Sequence, residues 1–126
     1  MSLGKSSKLK LATCDARLQQ FVTALAADVD DGKVPGVSDM TVLCGYRGEA
    51  EQNDAFKRGT SKLQYPKSKH NRIPALAVDV APYPVDWKNN AAFEALREHG
   101  LKLAAKMHIR IRVISWDLPH YELVNV

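Results

Sequence analysis

The stretch that decides the fold runs from Ser68 to Asp79 and reads Ser-Lys-His-Asn-Arg-Ile-Pro-Ala-Leu-Ala-Val-Asp. It leads from a polar loop into an apolar run that is typical of a buried β-strand, and this run carries one carboxylate, that of Asp79. A charged side chain in such a run is costly unless it is paired or binds a metal. We therefore expect Asp79 to be paired or functional.

Two histidines complete a common set of metal ligands with this carboxylate. His70 lies in the loop before the strand, and His120 closes the segment Asp117-Leu-Pro-His near the C-terminus. Two imidazoles and a carboxylate often bind a catalytic zinc that keeps its fourth position for water. Asp117 is then left over as a general base. Because Pro119 restricts the residue before it, we expect a turn here that aims Asp117 and His120 at one point.

The rest of the chain predicts a small α+β domain. Arg47 ends one predicted strand and is the candidate cation for the oxyanion charge of a hydrolysis. Apolar residues recur at helical spacing in two long segments and alternate in a third, and few βαβ repeats are visible. We therefore predict a mainly antiparallel sheet flanked by helices. The predicted helices are 15–31, 49–57 and 88–107, and the predicted strands are 40–46, 75–81, 108–114 and 120–124. Whether Gly100 divides the last helix stays open.

Length and composition indicate one soluble domain. The chain has 126 residues, of which 45% are hydrophobic and 25% charged. We interpret residues 1–7 as a flexible leader and 8–126 as the domain, and we expect a monomer. No apolar run has the length of a membrane span or the character of a signal peptide, so we expect synthesis in the cytoplasm. Of two cysteines, Cys44 reads as a buried thiol and Cys14 carries no motif, which does not favour a cysteine-based zinc site.

Positive charge is concentrated in a long polar loop, residues 59–74, and just before it. The formal net charge is +4. The cations of this region are Lys57, Arg58, Lys62, Lys67, Lys69 and Arg72. They either form a solvated surface or attract a polyanion. No nucleic-acid-binding motif accompanies them, so nucleic acid is not the expected partner, whereas a bacterial wall is also polyanionic.

These motifs together resemble those of zinc peptidases that cleave bacterial cell-wall peptides and share a fold with hedgehog-type domains. The likeness is greatest to phage and prophage endolysins of the L-alanyl-D-glutamate endopeptidase kind, and it covers nearly the whole chain. Gly-Tyr-Arg47 resembles the family's arginine segment, Ser68-Lys-His70 with Ala-Val-Asp79 its first metal motif, and Asp-Leu-Pro-His120 its base-and-ligand motif. A longer loop often precedes this last motif in the family.

The resemblance implies a role for each of these residues. His70, Asp79 and His120 would bind Zn²⁺, Asp117 would be the base, and Arg47 would stabilise substrate or oxyanion. Ser68 would hydrogen-bond near the site and contact substrate. The implied substrates are peptidoglycan stem peptides, reached after release of the protein onto the cell wall. Alternatives are a D-alanyl-D-alanine carboxypeptidase or dipeptidase, a zinc-binding wall module without turnover, and a basic nucleic-acid binder that would show salt-dependent binding without zinc.

Overall fold

A computed structural model of the protein describes residues 3–125. Four α-helices, one 3₁₀ turn and four strands follow one another in these residues. The helices are α1 (Lys5–Leu11), α2 (Ala16–Asp30), α3 (Glu49–Lys57) and α4 (Asn90–Lys106), and the 3₁₀ turn is Lys69–Asn71. The strands are β1 (Met40–Cys44), β2 (Ala77–Pro82), β3 (Ile111–Ile114) and β4 (Asp117–Leu123). Within this part of the chain, no helix is long and apolar enough to cross a membrane.

The strands form one antiparallel sheet in the order β1-β2-β4-β3. β2 is buried along its whole length, as its apolar sequence predicts. Asp79 pairs with His120 and Val78 with Tyr121 across β2 and β4. The small α+β domain with a mainly antiparallel sheet is therefore confirmed.

The two long helices cover the sheet and enclose the core. Asp15 caps α2 by accepting a hydrogen bond from the Arg17 amide, as an N-cap residue should. α4 is continuous through Gly100, which answers the question that the sequence left open. A side chain at Gly100 would place its Cβ 3.3 Å from Phe21 and 3.5 Å from Tyr121. The glycine is thus explained by close packing of α4 on α2 and the sheet.

The structure differs from the sequence prediction at the N-terminus. α1 was not predicted, and it begins inside the segment interpreted as a leader. Ser7 is buried, and its hydroxyl lies 3.0 Å from Thr41 Oγ1 and accepts a hydrogen bond from the Val42 amide. The boundary expected at residue 8 therefore falls within α1. Residues 1 and 2 lie outside the described part, and the division into leader and domain stays a prediction.

The predicted turn at Asp117-Leu-Pro-His is wrong. These residues begin β4, and the turn is made by Ser115 and Trp116. Proline is disfavoured within a sheet because it cannot donate to the ladder, except at edges and bulges. Here Pro119 precedes the pairing with β2, and the β3–β4 register shifts beside it, with Val113 opposite Tyr121 and Ile114 opposite Asp117. The irregular pairing accommodates the proline inside the sheet.

Candidate metal centre

Alternation along β2 and β4 places the predicted ligands on one face of the sheet. Asp79 on β2 is the cross-strand partner of His120 on β4, and Glu122 follows His120 on the same face. Val78 and Tyr121 point to the opposite face and belong to the hydrophobic core. The third predicted ligand, His70, comes from the 3₁₀ turn. The structure therefore brings together all three residues that the sequence suggested as ligands.

Their three donor atoms form a nearly equilateral triangle. His70 Nε2 lies 3.1 Å from Asp79 Oδ1 and 3.3 Å from His120 Nδ1, and His120 Nδ1 lies 3.3 Å from Asp79 Oδ1. Ligands about 2.0–2.1 Å from a tetrahedral zinc are about 3.3–3.4 Å from one another. The triangle therefore has the size of one face of a zinc coordination tetrahedron.

The outer nitrogen of each ring has its own acceptor. His70 Nδ1 lies 2.7 Å from the Gly45 carbonyl oxygen, and His120 Nε2 lies 2.7 Å from Glu122 Oε1. Since both acceptors take an N–H, the inner nitrogens present lone pairs to each other and to the carboxylate of Asp79. The two lone pairs and the carboxylate oxygen repel one another unless a cation or a proton lies among them. The residues thus fit a bound metal ion.

The environment of this triangle shifts the pKa of its members. Burial alone would lower the pKa of His70, but the carboxylate of Asp79 outweighs burial and raises the pKa of His70 to about 10. Burial alone would raise the pKa of Asp79, but His70 and His120 together hold it well below its usual range. Without a metal, a proton therefore compensates the charge of Asp79.

Glu122 is a site residue that the sequence analysis missed. Besides His120, its carboxylate accepts a 2.7 Å hydrogen bond from Arg112 Nε and lies 3.4 Å from Lys69 Nζ. Burial alone would raise the pKa of Glu122, but the hydrogen bonds from His120 and Arg112 hold it below its usual range. Such a carboxylate fixes the tautomer and orientation of a ligating histidine. The His-Tyr-Glu spacing in a predicted strand was a usable signal, because residues two apart share a face.

The turn that carries His70 is held by short polar contacts. Ser68 is 5% exposed, and its hydroxyl accepts a hydrogen bond from the His70 amide, 3.2 Å away. Asn71 Oδ1 in turn accepts a hydrogen bond from the Ser68 amide. Gly45 must be glycine, because a Cβ there would collide with the Thr13 side chain and the backbone of α1. Ser68 thus supports the turn, and its contact with substrate stays a prediction.

Arg47 reaches the site from the end of β1. Its Nη2 lies 3.4 Å from Asp79 Oδ2, and its Nη1 donates to Gln52 Oε1 at 3.1 Å. Gln52 is fully buried and also accepts a hydrogen bond from Asn71 Nδ2. The guanidinium has further N–H groups beyond these two contacts. Arg47 is therefore placed beside the ligands by Gln52, a positioning residue that no sequence motif indicated.

Asp117 stands next to the triangle. Its Oδ2 lies 3.8 Å from His120 Nδ1. Burial and then the negative charge of Asp79 raise the pKa of Asp117 above its ordinary value. Buried Arg97 on α4 holds this end of the hairpin by donating to the carbonyl oxygens of Leu118 at 3.0 Å and Ile114 at 2.7 Å. Asp117 is thus a partly buried carboxylate on a fixed backbone beside the predicted ligands, and its role as a general base stays a prediction.

Cys44 lies closer to the site than the sequence indicated. Its sulfur and one donor atom each of His70 and Asp79 lie within 4.8 Å of one another, so these three could also hold a metal. The thiol is partly buried and lies 3.5 Å from the Gly45 carbonyl oxygen. The triangle with His120 is more compact, with all its edges at 3.3 Å or less. We therefore favour His120 over Cys44 as the third ligand.

A groove of about 500 Å³ opens above these residues. Its lining includes the loop Gly59–Leu63 and the turn residue Trp116. Trp87 also lines the groove and stacks on Phe93, with ring centroids 5.5 Å apart. The groove gives an extended substrate access to the ligand triangle.

The predicted loop cations have different roles. Lys69 lies against Glu122 and donates to the Leu123 carbonyl oxygen, so it supports the site rather than facing solvent. Arg58 pairs with Asp54 at 2.8 Å on the surface of α3. Lys57, Lys67 and Arg72 are exposed. A wall-binding role of the loop stays a prediction.

Known proteins resemble this chain in sequence and in fold. The family model of the phage L-alanyl-D-glutamate peptidase matches residues 1–124. No protein among curated sequences matches the chain. The crystal structure of the L-Ala D-Glu endopeptidase ChiX of Serratia marcescens is similar at a TM-score of 0.74 and 21% identity, covering 98% of this chain and 90% of that one.

A second solved structure is that of a mutant vancomycin resistance D,D-pentapeptidase, VanY from a VanB-type cassette, in complex with Zn(II). It is similar at a TM-score of 0.58 and 20% identity, covering 89% of this chain and 73% of that one. At these identities the two structures show a shared fold. Because the family model spans nearly all of the sequence, the chain belongs to the phage L-alanyl-D-glutamate peptidase family.

Proposed function

We propose that the protein is a zinc metallopeptidase that hydrolyses the L-alanyl-D-glutamate bond of peptidoglycan stem peptides, acting as a phage or prophage endolysin on the bacterial wall. Membership of the family supports the substrate class. The observation that carries the chemistry is the triangle of His70 Nε2, Asp79 Oδ1 and His120 Nδ1, with edges of 3.1, 3.3 and 3.3 Å.

His70, Asp79 and His120 would hold the zinc, which when bound polarises a carbonyl and makes water a stronger acid. Asp117 accepts the proton of the attacking water and then donates it to the leaving amine. Its raised pKa suits the second step, because a more basic carboxylate holds the proton until the amine takes it. Arg47 directs its remaining N–H groups at the oxygen that becomes negative as the carbonyl is attacked.

The function is tested with purified peptidoglycan and soluble muropeptides. We expect cleavage that exposes a new amino group on D-glutamate, that stops when a chelator removes the metal, and that returns when zinc is added. His70→Ala should lose both zinc and cleavage. Release of D-alanine from the peptide end would instead identify a carboxypeptidase, and full activity after complete metal removal would refute the proposal.

A further inference from the structure

A lysine on the wall of the groove has no structural role in the described part of the chain. Lys62 lies in the loop Gly59–Leu63, and its ammonium nitrogen is 4.4 Å from the ring centroid of Trp116, which also lines the groove. Among residues 3–125, the Trp116 ring is the one partner that this ammonium has. Because an exposed aromatic ring binds a cation only weakly, the ammonium group can still bind an anion.

The other cations at the site are already engaged. Arg47 faces Asp79, and both Lys69 and Arg112 face Glu122. Asp79 and Glu122 thus have cationic partners, and Asp117, which lines the same groove, lies 3.8 Å from His120 Nδ1. Among the described residues, Lys62 forms no ion pair with an acid, so its positive charge in the groove is available to an anion. A substrate that carries a carboxylate close to the bond being cleaved would supply the missing charge.

The backbone on both sides of Lys62 is anchored. Gln52 Nε2 donates to Ser61 Oγ at 2.9 Å and to the Leu63 carbonyl oxygen at 2.6 Å. The Ser61 amide donates to the Ala55 carbonyl oxygen at 3.1 Å. The same Gln52 holds Arg47, so one buried amide fixes both the loop and the arginine beside the ligands. A pre-organised cation loses less entropy when it binds an anion.

We propose that Lys62 determines specificity by binding the free carboxylate of the D-glutamate that follows the scissile bond, while Trp116 packs against the hydrocarbon of that residue. The inference rests on the proposed function, which places an acidic residue on the leaving-group side. The ammonium and the carboxylate form a charge-assisted hydrogen bond at the rim of the groove. No bond is made or broken at Lys62, which acts on binding alone.

The test compares two stem peptides that differ in one group, the free carboxylate of D-glutamate or the carboxamide of the same shape. The zinc-loaded protein should prefer the carboxylate peptide by about 10–100-fold in kcat/KM, the range of one hydrogen bond to a charged group. Lys62→Met keeps an unbranched side chain beside Trp116 but removes the charge, and it should reduce this preference to about twofold or less. Lys62→Arg should retain most of it. Lys106→Met, which removes an exposed charge at the end of α4, should leave it unchanged.

Calorimetric binding of both peptides to the same proteins, each also carrying Asp117→Asn to prevent cleavage, gives a readout that does not depend on turnover. The ratio of the two dissociation constants should fall in Lys62→Met and persist in Lys106→Met. A wild-type protein that cleaves both peptides equally, or a Lys62→Met protein that keeps the wild-type ratio, would overturn the inference and leave the proposed function intact. Absence of cleavage at this bond in the wild-type protein would instead count against the proposed function, and the binding ratio would still decide the role of Lys62.

Discussion

Replacing Glu122 by glutamine tests whether this buried carboxylate sets the orientation of His120. One oxygen of Glu122 lies 2.7 Å from His120 Nε2, and the other accepts from Arg112 Nε at 2.7 Å and lies 3.4 Å from Lys69 Nζ. Glutamine has almost the same shape but only one oxygen. If this oxygen accepts from His120, the NH₂ group faces two cations, and if it accepts from Arg112, the NH₂ group faces the imidazole N–H.

Either arrangement weakens the hold on His120 and leaves a buried donor without an acceptor. Loss of such a partner typically lowers metal affinity by about 10–100-fold, which is about 1.4–2.7 kcal/mol. We expect a loss in this range for Glu122→Gln, because the three contacts depend on two oxygens and a negative charge. The effect should appear as faster release of zinc, with the fold retained.

The assay is competition for zinc with a chromophoric chelator at fixed pH, together with thermal unfolding of the metal-free proteins. Glu98→Gln is the matched control, because it removes the same charge from an exposed residue of α4 that pairs with Lys102 at 3.2 Å. The control should bind zinc like the wild-type protein. A zinc affinity of Glu122→Gln within about twofold of wild type would refute the orienting role.

Further predictions concern the base, the protons and the loop. Asp117→Asn should retain zinc and substrate binding but lose about 10²–10⁴-fold in kcat, as for a general base, and loss of zinc from this variant would mean that Asp117 is a ligand. Because the pKa of His70 in the metal-free protein is raised to about 10, zinc must displace its proton, so affinity should rise about tenfold per pH unit from 6 to 9, and a flat profile would contradict this. Raising the salt concentration should release the protein from cell walls while hydrolysis of a small neutral muropeptide changes much less, and equal sensitivity of the two would remove the steering role of the loop cations.

From the sequence, the candidate ligands could be predicted better than the residues that hold them in place. A carboxylate in an apolar run is costly, so Asp79 could be identified without knowledge of the fold, and the alternation of β4 could also have identified Glu122. Gln52 and Arg97 could not be found in this way. Their roles depend on which backbone carbonyls and side chains reach them after folding, and no local pattern encodes those distant contacts.

Local preference also misled the prediction at one place. Pro119 suggested a turn, but irregular β3–β4 pairing admits it within β4. There a tertiary contact outweighed a preference that acts over a few residues. The hydroxyl of Ser7 is bound to the backbone of β1, while the division of the chain into a leader and a domain stays a prediction.

The pairing of β2 with β4 has a consequence for how such sequences diverge. Val78 and Tyr121 fill the core on one side of the same strands that present Asp79 and His120 on the other. A slip by one residue would exchange the two faces, so it would expose the core and remove the ligands together. Selection for a stable protein therefore also preserves the alignment of the ligands. Exposed residues remain free to drift, and the fold persists in a solved structure at only 21% identity.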